Sequence, residues 1–216
     1  MTTPTNLIRR RPGDPAPDLV VFLAFHASLR RDFARLAAAL DGCPPHDARR
    51  RALIDEHTAF MLRALHHHHT GEDEDIWPLL RALVPEAGPV LDRLEADHQE
   101  MDTVIDRLSA PGRPAADQAG DLRRLHELLD AHLALEESEV VPLIAEHVGP
   151  AWWDEAGRKV TKGHGRDLPM VAAWTLDAAD PGAREHILAT APLIMRVLYR
   201  LSWRRAYERR VDQIFG

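Results

Sequence analysis

The chain lacks the features that mark several common classes of protein. Cys43 is its single cysteine, which excludes an intrachain disulfide and a zinc site built from several cysteines. No apolar run reaches the roughly 20 residues that a membrane-spanning helix requires. The arginines at positions 9 to 11 are followed by no apolar segment of the kind found in a secretory signal. We therefore expect a cytoplasmic protein with no membrane insertion.

Positive charge is scarce in most of the chain. Residues 1–150 contain 16 Lys and Arg against 26 Asp and Glu, a net charge of −10, whereas residues 151–216 contain 11 against 8, a net charge of +3. The total of −7 argues against nucleic acid as a partner. Strand-like alternation is absent as well. Histidine is abundant, with 13 residues, and it is the commonest protein metal ligand.

Four long stretches repeat apolar residues at spacings of three and four, which is typical of helices that bury one face. These predicted helices cover about residues 18–40, 46–83, 89–108 and 121–147. Short connections favour antiparallel neighbours, so the sequence predicts an all-α fold, an up-down-up-down four-helix bundle. We divide the chain into a flexible lead-in (1–17), the bundle (18–149) and a C-terminal helical extension (150–216).

The extension has a different composition from the bundle. It holds four of the five tryptophans, and glycines and prolines divide it into short helices before a longer one from about Arg184 to Phe215, with Pro192 near its middle. It has no domain-sized core of its own, so we expect it to pack on the bundle as a cap or to form a homodimer surface. Its arginines at spacings of four are interpreted as a solvated face, with an anionic cofactor or a membrane surface as the alternatives.

Each predicted bundle helix places a histidine in the apolar row that faces the core. The second and fourth helices add a glutamate four residues later and a proline six residues beyond the glutamate. Positions four apart lie on one face of a helix, so each pair can aim at a common point. The candidate ligands are His26, His68, Glu72, His98, His132 and Glu136.

Burying four imidazoles and two carboxylates in one core is costly unless these groups are paired or bind a metal. Six donors exceed the four that tetrahedral zinc takes, whereas imidazoles and carboxylates suit first-row ions such as iron or manganese. Two octahedral ions offer about twelve positions, and with both carboxylates bridging about four remain for a bridging oxygen and a small ligand. O2, peroxide and nitric oxide fit such an open site. The alternative is a His–Glu network without a metal.

These residues resemble the pattern of the hemerythrin-like, or HHE cation-binding, domain over about residues 18–147. The likeness rests on the lone His26 and His98, on His68 and Glu72 followed by Trp77-Pro78, and on His132 and Glu136 followed by Pro142. The resemblance implies a non-heme di-iron centre, oxo- or hydroxo-bridged, with manganese or zinc as less favoured ions. Members of that family carry, store or sense O2, sense iron, or help to repair damaged iron centres.

The chain departs from the oxygen-carrying members of that family at two positions. Those have His-x-x-x-His on the third helix, where this chain has Leu94 before His98, and His-x-x-x-x-Asp on the fourth, where it has His132-x-x-x-Glu136. We therefore expect a more symmetric and more open centre. These departures argue against reversible O2 carriage and favour turnover of O2 or peroxide, or sensing, within the expected function of binding or turning over a small oxidant. The alternative is a non-catalytic module that senses oxygen, iron or nitric oxide through a partner.

Some residues stay open as further ligands. His69 competes with His68 for the inward position, and the spacing of the later segment selects His68. Asp102 lies four residues beyond His98, and His164 lies between two glycines, where it could swing over the centre. We expect His57 and the remaining histidines to face solvent or to lie at helix ends.

Overall fold

The computed structural model describes residues 8–216, and within that range it contains helices and no strand. Contacts of α1 with α2 and α5, and of α4 with α2 and α5, close a ring of four helices. The predicted all-α helical bundle is confirmed. Its elements are α1 (Val20–Asp41), α2 (Ala48–Gly71), a π-helical turn (Glu72–Ile76), α3 (Trp77–Leu83), α4 (Gly88–Ser109), α5 (Ala115–Leu135), a second π-helical turn (Glu136–Val140) and α6 (Val141–His147).

Two apolar cores fill the bundle, one above the other along the helices. One core contains Leu65, Met101 and Leu133, and the other contains Ile76 and Leu94 with their neighbours. Along α2 and the π turn after it, the first core ends at Leu65, before His68, and the second begins at Ile76. Along α4 the second core ends at Leu94, before His98, and the first begins at Met101. The candidate ligands therefore form a polar layer between two apolar layers, where bulk water cannot satisfy them.

Both π-helical turns begin at a candidate glutamate. The N–H of Trp77 donates to the carbonyl of Glu72, five residues earlier, and the N–H of Val141 donates to Glu136 in the same way. A proline follows each turn, and proline lacks an N–H and clashes with the carbonyl four residues before it. The wider turn accommodates the proline without ending the helix. Each helix therefore continues past its His–Glu pair through a π turn.

The C-terminal extension packs on the outside of the bundle. Here α8 and α11 contact α1, and α7 and α11 contact α2. The buried carboxylate of Asp32 on α1 accepts hydrogen bonds from Trp174 Nε1 on α8 (2.8 Å) and from Arg31. The elements are α7 (Pro150–Gly163), a short 3-10 turn (Gly165–Asp167), α8 (Leu168–Ala178), α9 (Pro181–Thr190), α10 (Leu193–Leu198), a third π turn (Tyr199–Trp203) and α11 (Arg204–Phe215).

Two expectations about peripheral segments are corrected, and part of the lead-in has a defined contact. The single final helix is wrong, because Ala191 before Pro192 takes an extended conformation (φ −64°, ψ 147°) that ends α9. His57 is fully buried between Phe60 and Phe215 instead of facing solvent. In the lead-in, the N–H of Arg10 donates to the carbonyl of His147 (2.9 Å), so this part is held against α6. Residues 1–7 of the lead-in lie outside the described residues.

No helix among residues 8–216 combines the length and the apolar character needed to cross a bilayer.

Candidate metal centre

Seven side chains meet in the polar layer between the two cores. They form two groups of four donors each. Within each group, the four ligand atoms all lie within 4.8 Å of one another. Glu72 belongs to both groups, so the two groups together contain seven residues. The first group is His26, His68, Glu72 and Glu136, and the second is His69, Glu72, His98 and His132.

The helical register explains why Glu72 is shared. It lies four residues after His68 and three after His69, and both spacings make neighbours on a helix surface. The distance from His68 Nε2 to Glu72 Oε1 is 3.0 Å, and His98 Nε2 lies 3.4 Å from Glu72 Oε2. The two oxygens of one carboxylate thus face different groups, which is the geometry of a bridging ligand.

Glu136 occupies the matching position on the α5 side. Its Oε2 lies 3.6 Å from His26 Nε2 and 3.9 Å from His132 Nε2. Across the layer His132 Nε2 lies 3.2 Å from His98 Nε2. Two imidazole nitrogens that face each other in this way can both act as ligands of one ion, because each then offers a lone pair.

Nine buried side-chain nitrogen and oxygen atoms of the layer lack hydrogen-bond partners. Leaving such an atom unsatisfied costs about 1–3 kcal/mol, and more for a charged group. Cations held by the two groups would satisfy the carboxylate oxygens and the inward-facing nitrogens, so the donor set fits a metal. The unpartnered atoms are His26 Nε2, His68 Nε2, both ring nitrogens of His69, His132 Nδ1, and both carboxylate oxygens of Glu72 and of Glu136.

The protonation preferences of these residues support that fit. Burial raises the pKa of Glu72 well above its usual value, and the Asp73 carboxylate acts in the same direction. Burial also raises the pKa of Glu136, with Glu72 adding to the effect. Burial and the neighbouring imidazoles lower the pKa of His68 and His69 strongly, and lower that of His132 to about 2. The imidazoles are thus neutral and ready to ligate, while the carboxylates need a cation to ionise.

Acidic residues next to candidate ligands in the sequence lie close to imidazoles of other helices. Asp73, beside Glu72, lies 2.9 Å from Nδ1 of His98. Asp97, beside His98, lies 3.7 Å from Nδ1 of His132, which is beyond hydrogen-bonding distance. An acid that accepts a hydrogen bond from the far nitrogen fixes the tautomer and the orientation of a metal-ligating histidine. The Asp73 contact therefore points the ligating nitrogen of His98 inward.

The acid next to His26 is itself paired with an arginine. Glu137 Oε1 lies 2.9 Å from His26 Nδ1 and accepts a 2.7 Å hydrogen bond from Arg30. Although burial acts to raise it, these two hydrogen bonds lower the pKa of Glu137 to about 2. The carboxylate beside His26 is thus ionised at neutral pH and paired with an arginine, whereas no Lys or Arg among residues 8–216 pairs with Asp73.

Aromatic side chains close the layer. The rings of Phe22 and His26 are 4.3 Å apart, and those of Phe25 and His68 are 5.2 Å apart. His69 stacks on His98 with ring centroids 3.9 Å apart and planes inclined by 15°. This packing holds the imidazoles in place and excludes water.

The structure brings all six predicted residues together, and it adds a seventh. His69 was treated as a rival of His68, yet both face the layer, one toward each group. The expected symmetry is wrong, because one group has three imidazoles and the other has two. The dipeptides Glu72-Asp73, Asp97-His98 and Glu136-Glu137 were the sequence signal for the outer acids.

The two remaining candidates lie elsewhere. Asp102 is exposed on α4 and belongs to neither group. His164 packs against His67 with ring centroids 4.6 Å apart, outside the inner layer. His67 itself contacts α7, with Nε2 3.1 Å from the carbonyl of Val160.

A helical bundle with a buried layer of imidazoles and bridging carboxylates defines a metal-binding bundle of the carboxylate-and-histidine class. The family model for the Hemerythrin HHE cation binding domain matches residues 19–144, more than half of the chain, and the chain belongs to this family. The match contains every residue of both donor groups. Comparisons with the curated proteins and with the solved structures found no match.

Proposed function

We propose that this protein is a non-heme di-iron protein that binds or turns over O2, peroxide or a related small oxidant. The observation that carries the proposal is the pair of donor groups joined by Glu72. Family membership establishes cation binding, and the buried His and Glu side chains could hold the cation. Iron as the metal, two ions as the number and an oxidant as the ligand are the proposed parts.

Iron follows from the donor chemistry. Both groups combine neutral imidazoles with carboxylates, a set that first-row ions accept and that hard Mg2+ or Ca2+ does not favour. No cysteine contributes, since Cys43 lies at the end of α1. Manganese and zinc share part of this preference, so metal analysis must include them.

An open position for a small ligand follows from the number of donors. Five imidazoles supply five bonds, Glu72 supplies two as the carboxylate shared by both groups, and Glu136 supplies one. Two octahedral ions offer about twelve positions, so about four remain free. That number leaves room for a bridging oxygen and one small ligand.

The side chains of the protein would orient the ligands, balance the charge of the metal ions and exclude water from the centre. When two ferrous ions are bound, they supply the two electrons that, with two protons, reduce one peroxide to two waters. Glu72 and Glu136 balance the charge of the ions, and Asp73 and Glu137 orient imidazoles through their far nitrogens. Phe22 packs over the His26 side and limits access of bulk water.

Stopped-flow mixing of the iron-loaded, reduced protein with peroxide and with O2 tests this proposal. We expect rapid oxidation of the centre, seen as new visible absorption, with about one equivalent of peroxide consumed per reduced chain. Further consumption should occur only when an external reductant returns the two electrons. A reduced iron-loaded protein that reacts with neither oxidant contradicts the proposal. The metal-free protein is the control for background decomposition of peroxide.

A sensing role is a second candidate, because the layer is mechanically connected to α7. Lys159 on α7 forms a 2.8 Å ion pair with Asp75 in the π turn that begins at Glu72. His67, next to His68, contacts the carbonyl of Val160 on the same helix. Hydrogen exchange in α7 should then differ between the reduced and the oxidised centre, and equal exchange in the two states removes the sensing candidate.

A further inference from the structure

The C-terminal helical rod carries an exposed apolar stripe that neither the metal centre nor the bundle core uses. Leu193, Ile194 and Leu201 are exposed by 68%, 63% and 71%, and Val197 and Leu198 by 39% and 38%. The rod is continuous from Leu193 to Phe215, because α10, the third π turn and α11 follow one another without a break. The five side chains lie within nine residues of it.

The opposite face of this rod attaches it to the rest of the protein. Tyr199 and Tyr207 are 9% and 2% exposed, and the hydroxyl of Tyr207 receives a 3.1 Å hydrogen bond from Arg31 on α1. Ile214 is fully buried, and its carbonyl accepts a 3.0 Å hydrogen bond from Arg50 on α2. With one face anchored, the apolar stripe points outward into solvent.

Only positive charge accompanies the stripe. The sequence from Ile187 to Tyr207 contains four arginines and no acidic residue. Arg200 and Arg205 are exposed and form no hydrogen bond or ion pair with the residues that the structure describes. On a helix, Arg200 and Arg204 follow one another at the edge of the apolar stripe. Arg204 forms a 2.7 Å ion pair with Glu208, which lies beyond the stripe. An apolar face bordered by exposed arginines is typical of helices that lie on an anionic membrane surface.

We propose that the apolar stripe on α10 and the third π turn docks this protein on a membrane surface that contains anionic phospholipid. The leucine and isoleucine side chains would enter the boundary of the acyl chains, and Arg200, Arg204 and Arg205 would contact lipid phosphates. The docking is peripheral, since no helix in residues 8–216 is apolar and long enough to span. It is independent of the metal and of the proposed oxidant chemistry.

Charge and length favour a lipid surface over a second copy of the chain. A symmetric dimer through the stripe would place the arginines of both copies beside each other, with no acidic residue in the segment to neutralise them. The stripe spans less than two heptads, and a coiled-coil seam needs several. The large apolar side chains project into solvent, so they can insert between the acyl chains of lipids, which move apart to admit them.

Co-sedimentation of the full, metal-loaded chain with vesicles tests the proposal. We expect binding to vesicles of equal parts phosphatidylglycerol and phosphatidylcholine, weakened by added salt, and at least about tenfold weaker binding to pure phosphatidylcholine. Leu201→Glu and Arg200→Glu should each lower binding by at least about tenfold. Both side chains are exposed, so folding and metal content should stay unchanged.

The control is Arg49→Glu, an exposed arginine in the first turn of α2 that carries the same change of charge. It should bind as the unmodified chain does. Absence of binding to anionic vesicles overturns the proposal. So does equal binding to both vesicle types, or a dimer in solution that Leu201→Glu dissociates, since the stripe would then serve a second copy.

Discussion

The two segments that carry the His–Glu pairs follow the same pattern, yet they contribute differently to the centre. In each segment a histidine precedes a buried glutamate by four residues, and a π turn begins at that glutamate. The difference lies in the residue after the histidine, which is His69 on α2 and Leu133 on α5. His69 faces the donor groups, whereas Leu133 belongs to an apolar core.

Because of this one difference, only α2 supplies an imidazole to each of the two groups. Through His68 and His69 it supplies one imidazole to each, and Glu72 joins them. The α5 segment places His132 in one group and Glu136 in the other. One group is therefore richer in imidazole and the other in carboxylate, so the two metal positions are chemically unequal.

The two glutamates should respond unequally to the same substitution. Glu72→Gln removes the carboxylate common to both groups, so we expect the chain to lose nearly all bound metal. Glu136→Gln removes a donor from one group only and should leave about one ion per chain. Elemental analysis of the purified variants measures this, with the exposed Glu74→Gln as the control. Equal metal loss from the Glu72 and Glu136 variants would contradict the assignment of Glu72 as the carboxylate shared by both groups.

Substituting His69 by leucine makes the α2 segment match the α5 segment. His69→Leu should reduce the metal content from about two ions to about one, because the group with three imidazoles loses one of them. The helical circular dichroism should be unchanged, since the corresponding Leu133 packs well in its own core. His66→Leu, at an exposed position of the same helix, is the control. Full retention of two ions in His69→Leu would exclude His69 as a ligand.

The outer acids should have smaller effects. Asp73→Asn removes the carboxylate 2.9 Å from His98 Nδ1 and should weaken metal binding about 10–100-fold. Asp97→Asn should weaken binding less, because its carboxylate lies 3.7 Å from His132. Competition with a chelator gives the affinities, and the exposed Asp102→Asn serves as the unchanged reference. An Asp73 variant with unaltered affinity would show that this contact does not act on the metal.

The metal-free protein should lose stability as the pH rises above about 6.5. In that range the histidines are already neutral in the folded and the unfolded chain, so they do not contribute to the change. The folded-state pKa of Glu72 and of Glu136 lies well above the usual 4.5, so the folded chain holds protons that the unfolded chain has released. Their contribution is present at low pH and is lost as the pH rises. Denaturant titrations of metal-free Glu72→Gln and Glu136→Gln should show a flatter profile. A metal-free wild type that is equally stable across this range contradicts the assignment.

Much of the bundle was predictable because apolar periodicity and buried polar residues fall on the same helical faces. The six candidate ligands followed from four apolar rows, each interrupted by a histidine. His69 did not follow, because adjacent residues on a regular helix point in directions about 100° apart and one register had to be chosen. The inward position of His69 depends on Glu72 lying between two donor groups, and that arrangement is set by the packing of the helices.

The outer acids and the C-terminal rod were less predictable for a different reason. Asp73 and Asp97 serve imidazoles on neighbouring helices, and sequence spacing does not fix the rotation of one helix against another. The buried position of His57 depends on α11 packing over α2, a contact that joins residues about 150 positions apart in sequence. Local patterns do not encode such contacts.

The number of iron ions per folded chain tests the central claim most directly. We predict about two irons per chain in aerobically purified protein, with the visible absorption of an oxo- or hydroxo-bridged pair. A chain with native helical circular dichroism that holds a single iron, or that binds no iron when it is supplied, would contradict the di-iron centre built around Glu72.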